Sequence, residues 1–397
     1  MNAQTFAEAT LATRRVAVCV GCGGVGKTTV AAALALEAAR RGRRALVLTI
    51  DPARRLADAL GVEVLGNQPQ AMPRDALTRH GVPAQGELWA MMLDMKRTFD
   101  DLVERFAESA DARDRILSNP IYQHVSDALA GSIEYSAMEK VYELSETGSF
   151  DLIVVDTPPA QHALDFLEAP DRLLEFIDSR IVQMLIHPAF AAGRFGVRLF
   201  QRGTRRVLEI LERISGMGFL ADLSEFLLAF EGMAEGFRER AREVRGLLLG
   251  PDAAFVLVAA PGRESVRQSL NFLDRLEAYH VPLSGVLVNR VRLWPGGGAA
   301  PSAPQAADPA ALARALARAH GPDFPAQAAA RAALESAGVY AELVHRDARE
   351  TRALSERTEA QGRFFATIPE LPEDVHDLET LARVGHFVFG ESGGGSS

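Results

Sequence analysis

The sequence predicts an α/β fold built on a doubly wound, mostly parallel sheet. Two observations carry this expectation. A β-rich run, "RRVAVCVG" (14–21), opens directly into a glycine loop, then a helix-forming run, "KTTVAAALALEAARRG" (27–42), then a second strand-like run, "RALVLTID" (44–51). Strand, glycine loop, helix and strand in that order make a βαβ unit, which needs parallel strands. Five more β-rich runs follow, most of them separated by helical patterns: "LWAMMLD" (88–94), "DLIVVDT" (151–157), "AAFVLVAA" (253–260), "SGVLVNRV" (284–291) and "FFATIPEL" (364–371).

Taken in order, the first run is short and continuously apolar, as a strand buried on both faces should be. The helix after it has high helix propensity and ends at Gly42, a natural C-cap. Residues 166–250 differ, being helical in pattern and unusually apolar. Val207, Leu208, Leu211 and Ile214 recur at helical spacing, as do Phe226, Phe230, Met233, Phe237, Val244 and Leu248. That spacing fits core packing and an apolar groove equally. Met184, Met217 and Met233 would suit a groove. Residues 295–335, with "WPGGGAAPSAPQAADPAA", read as a loop followed by a helix. "GESGGGSS" reads as a flexible tail. The expected organisation is a core in two parts, 1–165 and 251–390, around a helical region at 166–250, with a tail at 391–397. No internal repeat is found.

Composition narrows the function classes. The chain has 397 residues, 48% hydrophobic and 24% charged, with a net charge of -9. That balance suits a globular protein and disfavours non-specific binding to nucleic acid or anionic membrane. No apolar run approaches the roughly 18 residues of a membrane-spanning helix, and no cleavable leader is recognisable. A cytoplasmic protein without an integral membrane segment is expected. The two cysteines, Cys19 and Cys22, form a lone C-x-x-C, and no other cysteine exists to complete a structural zinc site. The nine histidines are scattered without i, i+4 pairs near acids, so no catalytic metal is expected beyond nucleotide-bound Mg²⁺.

Gly21, Gly26, Lys27 and Thr28 match G-x-x-x-x-G-K-[ST], the phosphate loop of a P-loop nucleoside triphosphatase. Backbone N–H groups along Gly21, Gly23, Gly24, Val25, Gly26 and the helix start at Lys27, Thr28 and Thr29 would converge on phosphate oxygens, helped by the positive end of the helix. Lys27 would neutralise the β- and γ-phosphates, and the Thr28 hydroxyl would bind Mg²⁺. Asp51 and Asp156 end two further strand-like runs, which the sheet should deliver to the same crevice. A carboxylate there can hold Mg²⁺ through water or orient the attacking water.

"GGVGKTT", "TIDPA", "VVDTPP" and "LVNRV" together resemble the ArsA-type ATPases, of the wider MinD/ParA/ArsA-like class, over about residues 15–390. That family includes arsenite-pump ATPases and ATPases that target tail-anchored membrane proteins. The resemblance implies ATP and Mg²⁺ as cofactors, an inserted helical subdomain and a nucleotide-dependent dimer. It implies that Asp51 orients or activates the hydrolytic water, that Asp156 supports Mg²⁺, and that Asn289 recognises adenine. "ELWAMMLDMKRTFDDLV", "AGSIEYSAMEKVYEL" and "DTPPAQHALDFLEAPDRL" look closest to a bacterial branch with mycobacterial members.

The departures also inform. Most members read G-K-G-G-V-G-K, and their first lysine crosses the dimer to the partner's nucleotide; Cys22 stands there in this chain. "PTGHT" after the second switch is "PAQHA" here, which keeps His162. The arsenite-binding cysteines and the interface zinc pair of the family have no counterpart. The expected function is Mg²⁺-dependent ATP hydrolysis driving a dimer that handles an apolar client segment. The dimer would form with itself or with an ArsA-like paralogue that supplies the missing cation. The alternatives are a degenerate nucleotide-binding subunit and, less favoured, an anion-pump subunit. A spatial organiser would want a basic amphipathic C-terminal helix, which "VHDLETLARVGHFVFG" does not offer.

Overall fold

The computed structural model describes residues 1–50, 55–79, 85–120, 122, 132–158, 175, 233–296, 300–301, 308–321 and 323–390. Among the described residues eight strands form one sheet in the order β3-β4-β2-β5-β1-β6-β7-β8. They are β1 (Val16–Gly21), β2 (Arg44–Thr49), β3 (Gln70–Ala71), β4 (Glu87–Met92), β5 (Leu152–Asp156), β6 (Ala253–Ala259), β7 (Leu283–Val291) and β8 (Phe364–Pro369). Every pairing is parallel except β3 on β4. All seven runs expected to be strands are strands. β3 is an addition, two exposed residues that pair at an edge with too little sequence to show an alternation.

Side-chain alternation along the strands builds two cores. Val16, Val18 and Val20 of β1 join Ile153, Val155, Phe255 and Leu257 on one face. Ala17 and Cys19 join Leu152, Val154, Val256 and Val258 on the other. Each face is covered by helices, which is why the strands read as continuous apolar runs rather than as alternating ones. The helix Lys27–Arg40 is buried almost all round through Val30–Leu36, because the helix Leu378–Phe389 packs over it against the sheet. Small alanines let three layers approach closely there. The helix stops at Arg40, and Gly42 follows at φ +92, the left-handed exit that glycine takes without steric cost.

The opposite face carries the helices Met95–Phe106, Ser132–Glu146, Ala234–Leu249 and Arg263–Ala278, all of which contribute to the first core. Most of the apolar region 166–250 lies outside the described residues, including Met184 and Met217. Its last part is the helix Ala234–Leu249 with Met233 as its N-cap, and Met233, Phe237, Val244 and Leu248 belong to the first core.

The range 295–335, read as a loop followed by a helix, contains the helix Pro309–His320 and, in addition to that reading, the start of the 35-residue helix Ala326–Ala360. Asp308 caps the first by accepting from the Ala310 amide at 2.9 Å, and Pro309 occupies the first turn, where its missing N–H costs nothing. The alanine, leucine and arginine that follow are strong helix formers. The tail 391–397 lies outside the described residues. Among the described residues no helix is long and apolar enough to cross a membrane.

Candidate nucleotide site

β1 ends at Gly21, β2 at Thr49 and β5 at Asp156, and Cys19 and Thr49 both lie level with Asp156 across the sheet. Parallel pairing therefore brings the three tips to one edge, where β1 turns into the glycine loop. Gly21 is fixed by packing as well as by its φ of +152: a Cβ there would lie 2.0 Å from the Val258 carbonyl oxygen. Val25 buries its side chain at 3% exposure and anchors the loop in the core, so it can offer a ligand only backbone. Gly23 and Gly24 are exposed at the loop's crest. Gly24 has φ +76 with open space where a Cβ would be. Gly26, at φ +92, starts the helix as its N-cap.

Lys27 is buried, and its Nζ donates to the Gly21 and Cys22 carbonyls at 3.0 and 2.9 Å. The ammonium thus lies across the mouth of the loop, solvated by loop oxygens. The Thr28 hydroxyl donates to Asp156 Oδ2 at 2.7 Å, and the Thr49 hydroxyl donates to the same oxygen at 2.9 Å. Thr157 closes the gap between β1 and β5, its hydroxyl donating to the Cys19 carbonyl at 2.7 Å. A hydroxyl beside a carboxylate at the end of a phosphate loop is the hard-oxygen set that Mg²⁺ takes together with water and phosphate oxygens. The residues present fit that ion.

The neighbouring strands form the rest of the wall. Asn289, near the end of β7, is buried and donates from Nδ2 to the Val25 carbonyl at 2.9 Å. Its Oδ1 accepts from the Arg290 amide at 2.9 Å. A Cβ on Gly26 would meet Asn289 Nδ2 at 2.2 Å, so glycine at 26 is what allows this approach. A cavity of about 890 Å³ runs from Gly24, Gly26, Lys27, Thr28 and Thr29 past Asn289 to the segment 369–376 that follows β8. That volume is of the order found at small-molecule sites, about 300–1,000 Å³.

Residues 14–295 match the anion-transporting ATPase family, also named ArsA ATPase. The chain belongs to that family. It is an ATPase with the nucleotide-binding P-loop fold of the ArsA ATPases. Among curated proteins it is similar to ATPase GET3 of Rhodotorula glutinis, 28% identical over 276 residues that cover 69% of this chain and 69% of that protein. It is also similar to ATPase get3 of Schizosaccharomyces pombe, 26% identical over 279 residues, 69% of this chain and 73% of that one. ATPase get3 of Aspergillus terreus is 27% identical over 280 residues, 70% and 73% of the two chains.

Within this ArsA ATPase the structure brings Gly21, Gly24, Gly26, Lys27, Thr28, Thr29, Asp156 and Asn289 to one sheet edge. Asp51 and His162 lie outside the described residues. Cys22 is buried at 8% exposure in the same apolar cluster as Val25 and Val258. Burial raises its thiol pKa, and the Lys27 charge offsets this only in part. Cys19 is raised further, by full burial and then by the Asp156 carboxylate. Both sulfurs are therefore held as neutral thiols.

Sequence reasoning passed over four features. Thr49 is the last residue of β2, and only the strand order puts it beside Asp156. Thr157 was readable as the residue after Asp156. Arg290 stood within "LVNRV" but was not singled out. The segment 369–376 could have been found as the C-terminal end of a strand beside β7, since ligands of doubly wound sheets bind at such ends.

Proposed function

We propose that this ATPase is Mg²⁺-dependent and works as a nucleotide-switched dimer that handles a client or partner protein through the apolar helical region at 166–250. The observation that carries the nucleotide half is the Thr28–Asp156 hydrogen bond beside the loop-bound Lys27 ammonium. In this reading Lys27 exchanges its contacts to the Gly21 and Cys22 carbonyls for β- and γ-phosphate oxygens. The backbone N–H groups from Gly23 to Thr29 cradle the phosphates at the helix N-terminus. Thr28 and Asp156 would hold Mg²⁺, which would supply positive charge to neutralise the transferring phosphate. Asp51, after the tip of β2, orients the attacking water. Asn289 keeps one Nδ2 hydrogen and one Oδ1 lone pair after its contacts in the fold, the donor–acceptor pair that an amide offers an adenine edge.

Calorimetry with Mg·ATP and Mg·GTP on the same preparation tests the adenine assignment. ATP should bind more tightly; equal or tighter GTP binding removes Asn289 from that role. Asp51→Asn should keep ATP affinity and lose single-turnover hydrolysis. Hydrolysis at the parent rate would end the water-orienting role.

Cys22 favours a second reading of the assembly. A buried neutral thiol cannot place a cation on the transferring phosphate of a partner. Cations supplied in trans at phosphoryl-transfer sites are worth about 10³–10⁵ in rate, roughly 4–7 kcal/mol of barrier. The dimer would then pair this chain with an ArsA-like paralogue that carries the first lysine of G-K-G-G-x-G-K. The protein is read as cytoplasmic. Its two cysteines, both buried, offer no open thiol site for arsenite.

A further inference from the structure

We propose that Arg290 forms the wall on which the nucleobase stacks, and that its side chain, rather than a phosphate contact, is the reason an arginine stands there. The inference rests on the reading that the cavity beside Asn289 takes the base.

β7 and β8 run in register up to Val288 opposite Thr367, and resume with Val291 opposite Pro369. Two residues of β7, Asn289 and Arg290, thus face one residue of β8, Ile368. This is a bulge, with Arg290 in the left-handed region at φ +61. Glycine fills that conformation without steric cost, whereas a residue with a Cβ is strained there. Bulges beside active sites re-aim a side chain. The aim in this case is visible: Arg290 reaches back over the phosphate loop, and its guanidinium donates to the Gly24 carbonyl at 3.2 Å. The bulge is held from below, because Asn289 Oδ1 takes the Arg290 amide.

Two consequences follow from that tether. The guanidinium is bound to a carbonyl of the loop, so its charge is directed at loop backbone. Arg290 is exposed and lines the cavity that Asn289 and Pro369 also line. A planar, weakly hydrated cation tethered at a cavity wall can offer its face as a stacking surface for an aromatic base. Asn289 would then read the edge of the base while Arg290 covers a face. Pro369 and Leu371 lie on the apolar part of the same cavity lining. A stacking wall of this kind is indifferent to which purine it covers, so it adds affinity and leaves the choice of base to Asn289.

The test compares Mg·ATP with Mg·tripolyphosphate, which has the phosphates without the base, on the wild type and on Arg290→Gly. Glycine accepts the left-handed backbone, so this variant removes the side chain while leaving the bulge unstrained. Calorimetry should show ATP affinity falling about tenfold in Arg290→Gly, about 1.4 kcal/mol, with tripolyphosphate affinity unchanged. The unchanged tripolyphosphate affinity also certifies that the loop is folded. An equal fall for both ligands would make Arg290 a phosphate cation and overturn the proposal. So would an ATP affinity that does not move. If wild type binds ATP no better than tripolyphosphate, the base-cavity reading itself fails, which is a separate result from an inert Arg290.

Discussion

Thr28 and Asp156 lie 128 residues apart in the chain, yet the Thr28 hydroxyl donates to Asp156 Oδ2 at 2.7 Å, on the oxygen that also takes Thr49. That single carboxylate ties the start of the phosphate-loop helix to the tips of two strands. Asp156→Asn keeps an oxygen for the hydroxyls and removes the charge. It should unfold within about 1 kcal/mol of wild type while ATPase activity falls more than tenfold, since the cation loses its anionic anchor. Asp156→Ala removes the acceptor as well, and orphaned buried hydroxyls cost about 1–3 kcal/mol. Denaturant unfolding and ATPase assays on both variants separate the two effects; wild-type activity in Asp156→Asn would contradict the assignment.

The loop glycines should rank by what surrounds them. Gly24→Ala meets nothing within 4 Å and pays only for its φ of +76, about 1–2 kcal/mol. Gly26→Ala drives a methyl into Asn289 Nδ2 at 2.2 Å, so it must displace the amide that braces the loop. Unfolding free energy and ATP affinity should both fall further in Gly26→Ala than in Gly24→Ala. The reverse order would mean that Asn289 does not brace the loop.

Much of this was legible in advance. Continuous apolar runs such as "AVCV" and "LIVVD" identify strands covered on both faces, and the glycine loop between β1 and its helix fixes the site's location. Lys27, Thr28 and Asp156 follow from motif and strand end. Thr49 and Arg290 were not legible, because their roles depend on strand order and on a one-residue bulge, neither of which leaves a local pattern. A helix after the Pro- and Gly-rich run was legible, but not the break that divides it into Pro309–His320 and Ala326–Ala360. Cys22 was readable as a departure from the family, but not its burial, which depends on the path of the loop over the second core.

Arg292, two residues beyond Arg290, pins the end of β7. Its amide and its guanidinium donate to the buried Asp347 of the long helix at 3.1 and 3.2 Å, and it pairs with Glu370 after β8 at 3.2 Å. Asp347→Ala would leave the Arg292 amide without this acceptor and leave Glu370 as the guanidinium's partner. A loss of about 1–3 kcal/mol is expected for orphaning a buried hydrogen-bonding group, together with weaker ATP binding because the two cavity walls part. Unfolding titrations with and without Mg·ATP check this; an unaltered midpoint would contradict it.

His376 lines the cavity, and its Nδ1–H donates to the Asp374 carbonyl at 2.6 Å. That bond, followed by the carboxylates of Asp377, Glu373 and Asp374, favours the charged ring and raises its pKa above the ordinary 6.5. The sign is that of a raised folded-state pKa: the stabilisation is complete below the unfolded value and is lost as pH rises through the folded one. NMR titration should find His376 above 6.5, and Asp377→Asn, which still caps its helix, should lower it. A value at or below 6.5 would contradict the arrangement.

The central claim is that hydrolysis needs two subunits because Cys22 supplies no cation. The most direct measurement is the ATPase rate per molecule as total protein concentration rises, alone and with a paralogue bearing G-K-G-G-x-G-K, with Lys27→Ala as the inactive control. The expected result is slow turnover alone at every concentration, which rises only when the paralogue is added. A rate per molecule that is fast, constant across concentration and unmoved by the paralogue would show a site complete in one chain and contradict the account.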